Sequence, residues 1–230
     1  MKTFGDRNER VPDRTLVILA GGQSSRMGRD KTFLPYKDTT FLEYLIRRAR
    51  PFFSDIWISA GPQEHAQKIQ EQLPDASSES LADHIVPDRY DRIGPMGGIL
   101  SVFESIRQEC FVLLAVDIPE ADMEVLAALA DLAVQRTEAA MMLKISDSGF
   151  AEACAAAYNR KAYRLMKASY EQGEYSLRKA LGEDQICCLG ISELKPYLPG
   201  IFEEDLQQAF RNINTPQDYG RSLNSSDESM

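Results

Sequence analysis

The sequence predicts an α/β protein with a mostly parallel sheet that is covered by helices on both faces. Short apolar runs alternate with amphipathic segments of helical period along most of the 230 residues. The runs at 15–20 and 111–116 are apolar throughout, as expected for strands that are buried on both faces of a sheet. Because parallel strands need helical crossovers, this alternation predicts βαβ units whose ligand sites lie at the carboxyl ends of the strands.

In the first half of the chain, each element is predicted from the spacing of its apolar residues. The strand at 15–20 (TLVILA) ends in a pair of glycines. A helix is predicted at 40–50, because apolar residues share one helical face and residues 38–40 can cap its start. The sequence DIWISA predicts a second strand at 55–60. The remaining elements of this half are a polar amphipathic helix at 62–73 and a short strand at 84–86.

The most apolar strand is predicted at 111–116 (FVLLAV), and we expect it at the centre of the sheet. The segment before it, 97–108, places four apolar residues on one helical face. Residues 121–135 repeat apolar side chains with a 3.6-residue period and predict another helix. The C-terminal elements are predicted as strands at 139–145, 153–158 and 185–189 and as helices at 160–170 and 176–181.

No run of linker composition divides the chain, which favours one domain over residues 14–220 with a smaller C-terminal lobe. The two polar ends, 1–13 and 221–230, are predicted to be flexible. The longest apolar runs are far below the roughly 18 residues of a membrane span, and the N-terminus has no apolar signal core. We therefore expect a cytoplasmic protein without a membrane partner.

Charge and reactive side chains exclude several classes of function. Acidic residues outnumber basic ones 35 to 26, giving a net charge of −9, which argues against a nucleic-acid partner. An anionic ligand must therefore be held by a local cluster of positive charge. The four cysteines show no CxxC spacing, so neither a zinc site nor a disulfide framework is expected. The two histidines, His65 and His84, are expected on polar helix or loop surface.

A glycine-rich stretch, LAGGQSSRMGRDK at 19–31, follows the first strand. Its glycines let the backbone turn sharply, and free N–H groups in such a turn can bind phosphate. Two basic side chains add positive charge. The stretch is neither GxGxxG nor a Walker A loop, because its glycines and lysine are spaced differently. Spacing alone leaves a phosphate loop and a solvated turn equally open. The residues concerned are Gly21, Gly22, Gly28, Arg26 and Lys31.

The string LAGGxSxRMGxDK resembles the signature of the molybdenum cofactor guanylyltransferase family, and every position of it matches. This family is a branch of the nucleotidyltransferases, which share a three-layer, Rossmann-like fold of the glycosyltransferase-A type. Asp30 before Lys31 favours this branch, since sugar-1-phosphate nucleotidyltransferases usually carry proline there. The resemblance implies that Lys31 binds phosphate. It also implies backbone contacts to the base and phosphates from Leu19, Ala20, Gly21 and Gly22.

Two further stretches extend the resemblance and suggest nucleotide and metal ligands. HIVPDRYDRIGPMGGIL at 84–100 is similar to the family's segment in which an aspartate, here Asp88, reads the nucleotide. A turn aspartate without function is the alternative. VDIP at 116–119 resembles the element whose aspartate holds Mg²⁺, which would make Asp117 the metal ligand. The alternative is that Asp117 caps the helix that begins near Glu120.

The C-terminal motif and two departures complete the comparison with the family. FRNINTPQD at 210–218 resembles an NxNTPxD element near the family's active site, and a hydrogen-bonded turn before a helix is the alternative. Ser59 stands where the family often has asparagine, which implies a weaker or water-mediated nucleotide contact. At 152–158 (EACAAAY) the family pattern is lost at Glu152 and Ala153, in a lobe that contacts the pterin substrate in the family.

These observations predict an enzyme that transfers GMP from GTP to the terminal phosphate of the molybdenum–molybdopterin cofactor, with Mg²⁺ as cofactor. The catalytic residues are expected to be Arg26, Lys31 and Asp117. One alternative is cytidylyl or other nucleotidyl transfer to molybdopterin or to another phosphorylated acceptor. A non-catalytic nucleotide- or cofactor-binding protein is the other. Other cofactor-biosynthesis proteins or apo-molybdoenzymes are further candidate partners.

Overall fold

The computed structural model describes residues 13–21, 30–73, 84–90, 92–145 and 151–224. The strands are β1 (Thr15–Leu19), β2 (Pro35–Tyr36), β3 (Thr39–Thr40), β4 (Asp55–Ser59), β5 (His84–Val86), β6 (Cys110–Ala115), β7 (Ala140–Lys144), β8 (Ala151–Asn159) and β9 (Ile186–Leu189). The α-helices are α1 (Phe41–Ala49), α2 (Gln63–Gln72), α3 (Pro95–Phe103), α4 (Met123–Ala133), α5 (Arg160–Glu171), α6 (Leu177–Leu181), α7 (Ile191–Leu194), α8 (Glu203–Ala209) and α9 (Pro216–Asn224). Short 3₁₀ turns lie at Lys31–Phe33 and Glu183–Gln185.

Seven strands form one sheet in the order β5-β4-β1-β6-β8-β7-β9. Strand β1 pairs in parallel with β4 and β6, β4 with β5, and β7 with β9. Strand β8 is the exception, because it runs antiparallel to both β6 and β7. Only residues 145–150 separate β7 from β8, which is too short a connection for a parallel crossover. The predicted mostly parallel sheet is confirmed, with this one reversed strand.

Both faces of the sheet are buried, and alternate residues of a strand contribute to different faces. In β1, Leu16 and Ile18 belong to one hydrophobic cluster, whereas Val17 belongs to the other. The first cluster includes apolar residues of α1 and α4, and the second includes those of α3 and α5. This explains why β1 and β6 read as continuous apolar runs, and it confirms three layers of helix, sheet and helix.

Most predicted boundaries agree with the structure within three residues, and the largest difference concerns α3. The prediction placed this helix at 97–108, but it begins at Pro95, directly after Gly94 in the left-handed region (φ 66°), and ends at Phe103. Proline is well suited to the first position of a helix, since its missing N–H leaves no intrahelical bond unmade. The β2–β3 hairpin and the short helices α7 and α8 were not predicted.

The C-terminal boundary needs a correction. Residues 221–230 were predicted to be a flexible tail, but α9 runs to Asn224, so the first four of them are helical. Within the described parts of the chain, no helix is long and apolar enough to cross a membrane.

Candidate active site

Four neighbouring parallel strands bring most of the predicted site residues to one edge of the sheet. Backbone hydrogen bonds continue the strand register into the loops: Ala20 N–H donates to the Ser59 carbonyl (2.8 Å), and Val116 N–H donates to the Leu19 carbonyl (3.1 Å). The Asp88 N–H donates to the Gly61 carbonyl (2.6 Å). The carboxyl ends of β5, β4, β1 and β6 therefore form one continuous rim, as the fold class predicted.

Two glycines allow the first loop to lie against the loop that follows β4. A Cβ atom on Gly21 would lie 2.5 Å from both the Cα and the backbone nitrogen of Gly61. Gly61 itself has a φ of 71°, in the left-handed region that favours glycine. The close approach explains why the signature sequence needs glycine at position 21. Of the other residues predicted to form this loop, Gly22, Arg26 and Gly28 lie outside the described residues.

Lys31 begins a 3₁₀ turn that is fixed to the end of β1. The carboxylate of Asp30 caps this turn by accepting from the Thr32 N–H (3.0 Å). The fully buried Thr32 hydroxyl donates to the Ala20 carbonyl (3.2 Å). These contacts direct the Lys31 ammonium to two acceptors, the Asp117 carboxylate at 2.8 Å and the Asn214 side-chain oxygen at 2.7 Å.

Asp117 is not the cap of the following helix. That role belongs to Asp122, whose carboxylate accepts from the N–H groups of Glu124 and Val125 at the start of α4. Asp117 instead lies just beyond β6, and its own carbonyl accepts from the Ile213 N–H (2.8 Å). The Asp117 carboxylate thus remains available for a ligand-binding role.

Asn214 enters the site from the C-terminal motif. The turn before α9 is closed by Thr215 and Asp218, because each side chain accepts a hydrogen bond from the other residue's backbone N–H (both 3.1 Å). The Asn214 side chain is therefore not needed to close the turn, and it contacts Lys31. The sequence placed this motif near the active site but did not identify Asn214 as a partner of the lysine.

Asp88 and Ser59 form a second part of the site. Ser59 is fully buried, and its hydroxyl lies 3.3 Å from an Asp88 carboxylate oxygen, to which it donates. Gly98 of α3 lies directly above, since a Cβ atom there would be 2.4 Å from the Ser59 oxygen. Burial raises the pKa of Asp88, although the hydrogen bonds from Ser59 and from the backbone oppose this shift. Ser59 thus contacts Asp88 in the structure, whereas the sequence predicted that Ser59 contacts the nucleotide.

His65 corrects a prediction, since it does not lie on the polar surface. Its side chain is only 14% exposed, and its Nε2 lies 2.7 Å from the Asp30 carboxylate. The sequence carries no signal for this contact, because the fold alone brings the His65 ring to Asp30. His84 is more exposed, at 40%, and stacks on Trp57 with ring centroids 4.0 Å apart.

The described residues could bind Mg²⁺ only together with phosphate oxygens of a substrate. Among the described residues, no group of three or more His, Cys, Asp or Glu side chains could hold a metal ion by itself. Mg²⁺ in phosphate-transfer sites is usually bound by one or two carboxylates, with phosphate oxygens and water as its other ligands. Asp117 supplies such a carboxylate, and the Asn214 side-chain oxygen contacts the same Lys31 ammonium.

A cavity of about 1900 Å³ lies beside the site and is bounded in part by Ile213. Of the described residues, three basic and six acidic side chains line it, and this balance of charge is unfavourable for a polyanion. The charged residues are Lys37, Arg211 and Arg221 against Asp38, Glu120, Asp122, Glu124, Asp205 and Asp218.

Comparison with known proteins identifies related sequences and folds. The family model described as MobA-like NTP transferase domain matches residues 16–186. A molybdenum cofactor guanylyltransferase from Pseudomonas putida is 28% identical over 209 residues, which cover 90% of this chain and 96% of the relative.

Solved structures of other proteins share the fold. Molybdopterin-guanine dinucleotide biosynthesis protein A from Archaeoglobus fulgidus has a TM-score of 0.74 and 21% identity, covering 93% of this chain and 99% of the other. CMP:2-keto-3-deoxy-manno-octonic acid synthetase complexed with CTP has a TM-score of 0.64 and 12% identity, covering 95% and 100%. These similarities confirm the predicted Rossmann-like nucleotidyltransferase fold.

Proposed function

We propose a specific reaction for this chain, which belongs to the MobA-like NTP transferase domain family and is a nucleotidyltransferase. The enzyme transfers GMP from GTP to the terminal phosphate of the molybdenum–molybdopterin cofactor. An oxygen of that phosphate attacks the α-phosphorus, and the bond from the α-phosphorus to the bridging oxygen breaks. Pyrophosphate leaves, and the product is the guanine dinucleotide form of the cofactor.

The arrangement of Lys31, Asp117 and Asn214 is the observation that carries this proposal. It combines a lysine that can bind phosphate with a carboxylate that can bind a metal ion, 2.8 Å apart at the carboxyl end of a central strand. Lys31 and Asp117 neutralise each other's charge in this structure. A triphosphate with its metal ion offers each of them a replacement partner of the correct charge.

The reaction needs charge neutralisation more than proton transfer. The attacking phosphate oxygen is already an anion, so a general base is not required. Lys31 holds the triphosphate and stabilises the charge that develops on pyrophosphate, and Arg26 adds a second positive charge. Bound Mg²⁺, held by Asp117, would supply further charge neutralisation. The N–H groups of Gly21 and Gly22 contribute by fixing the two polyanions in line.

Asp88 is the residue proposed to recognise the guanosine. A carboxylate at this position can accept from guanine N1–H and N2–H or from a ribose hydroxyl. Ser59 limits the rotation of the Asp88 side chain through its hydrogen bond, which favours one orientation before the nucleotide arrives. The names of the related guanylyltransferases support guanine over the other bases.

Thermal-shift measurements with GTP, CTP, ATP and UTP, each with and without Mg²⁺, test the proposal. GTP with Mg²⁺ should stabilise the fold most, by roughly 2.7 kcal/mol at about 100 times Kd. In Asp117→Asn, the Mg²⁺-dependent part of the shift and GMP transfer should both be lost, because the amide keeps the shape but not the charge. Asp122→Asn is the matched control, since asparagine caps helices as well as aspartate does. Equal shifts with all four nucleotides would contradict guanine specificity.

A further inference from the structure

His65 lies between two hydrogen-bond acceptors beneath the turn that carries Lys31. It belongs to the first turn of α2, and its Nδ1 is 2.6 Å from the carbonyl oxygen of Ala60 at the end of β4. Its Nε2 is 2.7 Å from a carboxylate oxygen of Asp30. The ring also makes an edge contact with Phe33, with centroids 5.6 Å apart.

These neighbours determine the protonation state of the ring. A carbonyl oxygen can only accept, so Nδ1 must carry a hydrogen. An ionised carboxylate also only accepts, so the 2.7 Å approach of Nε2 to Asp30 favours a proton on Nε2 and therefore the imidazolium form of the ring. In agreement, the hydrogen bond to Asp30 raises the pKa of His65 above its ordinary value of 6.5, more than burial lowers it.

Among the residues that the structure describes, four groups from three elements face the ring. Asp30 and Phe33 belong to the turn, Lys68 belongs to α2, and the Ala60 carbonyl belongs to the end of β4. Of these, Asp30 and Lys68 are charged, and they shift the pKa of His65 in opposite directions. The contact with Asp30 is direct and therefore dominates.

Asp30 connects His65 to the catalytic lysine. One of its carboxylate oxygens contacts the imidazolium, and the other accepts from the Thr32 N–H that closes the Lys31 turn. Without a positive partner, the Asp30 charge would also oppose the approach of a triphosphate. His65 can therefore act on the site in two ways, by fixing the turn and by cancelling a negative charge.

We propose that His65 is a positioning residue, whose imidazolium holds the Asp30 carboxylate in the orientation that caps the Lys31 turn. The effect on turnover rests on the function proposed above, whereas the His65–Asp30 pair exists without nucleotide. Loss of the Nε2 proton at alkaline pH leaves two lone pairs facing each other, so Asp30 must reorient and the Lys31 turn loosens. Nucleotide use by this enzyme is therefore sensitive to the protonation of His65.

Imidazole NMR tests the pair directly, because the chain has only two histidines. In His84→Gln, one titrating ring remains, and its midpoint should lie above 6.5 and fall when Asp30→Asn is added. The amide signals of Lys31 and Thr32 should shift with the same midpoint, and this shift should vanish in His65→Gln. The proposal would be overturned if Asp30→Asn left the His65 midpoint unchanged. It would also be overturned if the amide signals of Lys31 and Thr32 did not shift with that midpoint.

Kinetics with Mg²⁺ and GTP test the consequence for the reaction. His65→Gln keeps a hydrogen-bond donor without the charge, and we expect its kcat/KM to fall about tenfold, as is typical when a supporting residue is removed. In the wild type and in His84→Gln, kcat/KM should decline at alkaline pH, and the midpoint of this decline should match the NMR midpoint of His65. His65→Gln should lack that decline. A folded His65→Gln with the wild-type pH profile would refute the positioning role. If neither the wild type nor any variant transfers GMP, the proposed function fails. The NMR result still shows whether His65 and Asp30 form the proposed pair.

Discussion

Lys31 is the residue on which the proposed chemistry depends most, and its contacts define a clear prediction. Lys31→Ala should reduce GMP transfer by about 10²- to 10³-fold, with the loss in kcat as well as KM, because charge develops on the leaving pyrophosphate. The thermal midpoint should also fall, because the ion pair with Asp117 is mostly buried, with side chains 12% and 20% exposed, and the variant leaves the Asp117 charge without this partner.

A matched variant separates the catalytic role of Lys31 from a general loss of charge. Lys161→Ala removes a lysine that donates to the Thr137 carbonyl, far from the rim, and should leave transfer unchanged. Wild-type turnover in Lys31→Ala would show that this lysine is only a surface residue after a glycine turn.

Asp88 is expected to lower the stability of the fold at neutral pH and to contribute to the binding of GTP. Burial raises its pKa, so its charge contributes unfavourably to folding at neutral pH and does so less as the pH falls toward 3.8. Asp88→Asn should therefore raise the thermal midpoint at pH 7 but not at pH 3, and should weaken binding of GTP. Calorimetric unfolding and nucleotide titration of the same variant measure both effects. A lower midpoint at pH 7 would contradict this account.

At the residue level, the motif residues were predictable but their partners were not. The order of residues in the signature singled out Lys31, and the apolar strand before VDIP singled out Asp117; the structure places the two side chains 2.8 Å apart. The sequence alone could not exclude Asp117 as the helix cap, whereas the structure shows that Asp122 is the N-cap of α4. His65 carried no signal, because its role depends on a contact with Asp30 made by the fold.

At the level of elements, Glu120 joins the hairpin β2–β3 to the loop that carries Asp117. Its carboxylate accepts from the Tyr36 hydroxyl (2.7 Å) and pairs with the Lys37 ammonium (2.9 Å). Nearby, Arg48 of α1 donates to the Pro119 carbonyl (2.6 Å). Burial would raise the pKa of Glu120, but Tyr36 and Lys37 outweigh it and lower that pKa below 4.5.

The lowered pKa of Glu120 gives a prediction with a definite sign. A carboxylate of this kind stabilises the fold above its unfolded pKa, and the contribution is lost as the pH falls through the folded pKa. Between pH 7 and pH 3, the wild type should therefore lose more unfolding free energy than Glu120→Gln, as measured by urea denaturation. Because Glu120 is 40% exposed, the difference at pH 7 should be at most about 1 kcal/mol. If the unfolding free energies of the two proteins fell by the same amount between pH 7 and pH 3, this contribution of Glu120 would be excluded.

Elements with a long apolar period were predictable, whereas short ones were not. Helix α4 and strand β6 lie within two residues of their predicted positions, because the pattern of burial decides both. The hairpin β2–β3 has two residues per strand and α7 has four, which is too few to show a period. The direction of β8 depends on the length of its connection to β7, which hydropathy does not encode.

At the scale of the molecule, the sheet order explains how a protein of net charge −9 assembles its candidate site from distant parts of the sequence. The order places the ends of β5, β4, β1 and β6 side by side, so residues from distant parts of the sequence meet at one rim. Lys31 and Asn214, which are 183 positions apart, come within 2.7 Å there. Lys31 lies at this rim beside Asp117, whereas acidic side chains outnumber basic ones among the described residues that line the neighbouring cavity.

The pair of His65 and Asp30 should be visible in the stability of the whole molecule. The raised pKa of His65 gives stability that is complete below 6.5 and is lost as the pH rises through the folded value. For Asp30, burial would raise the pKa, but the hydrogen bond and charge of His65 prevail and lower it below 3.8. Its contribution is therefore lost at more acidic pH. The pair should stabilise the fold fully between about pH 3.8 and 6.5.

The unfolding free energies of the wild type and His65→Gln should accordingly differ most in that window, by about 1–2 kcal/mol after allowance for the partly exposed Asp30. The difference should shrink below pH 3 and again above the NMR midpoint of His65, because one partner has then lost its charge. His84→Gln is the control, and its difference from the wild type should lack this maximum. A pH-independent difference for His65→Gln would mean that the ring contributes packing against Phe33 rather than charge.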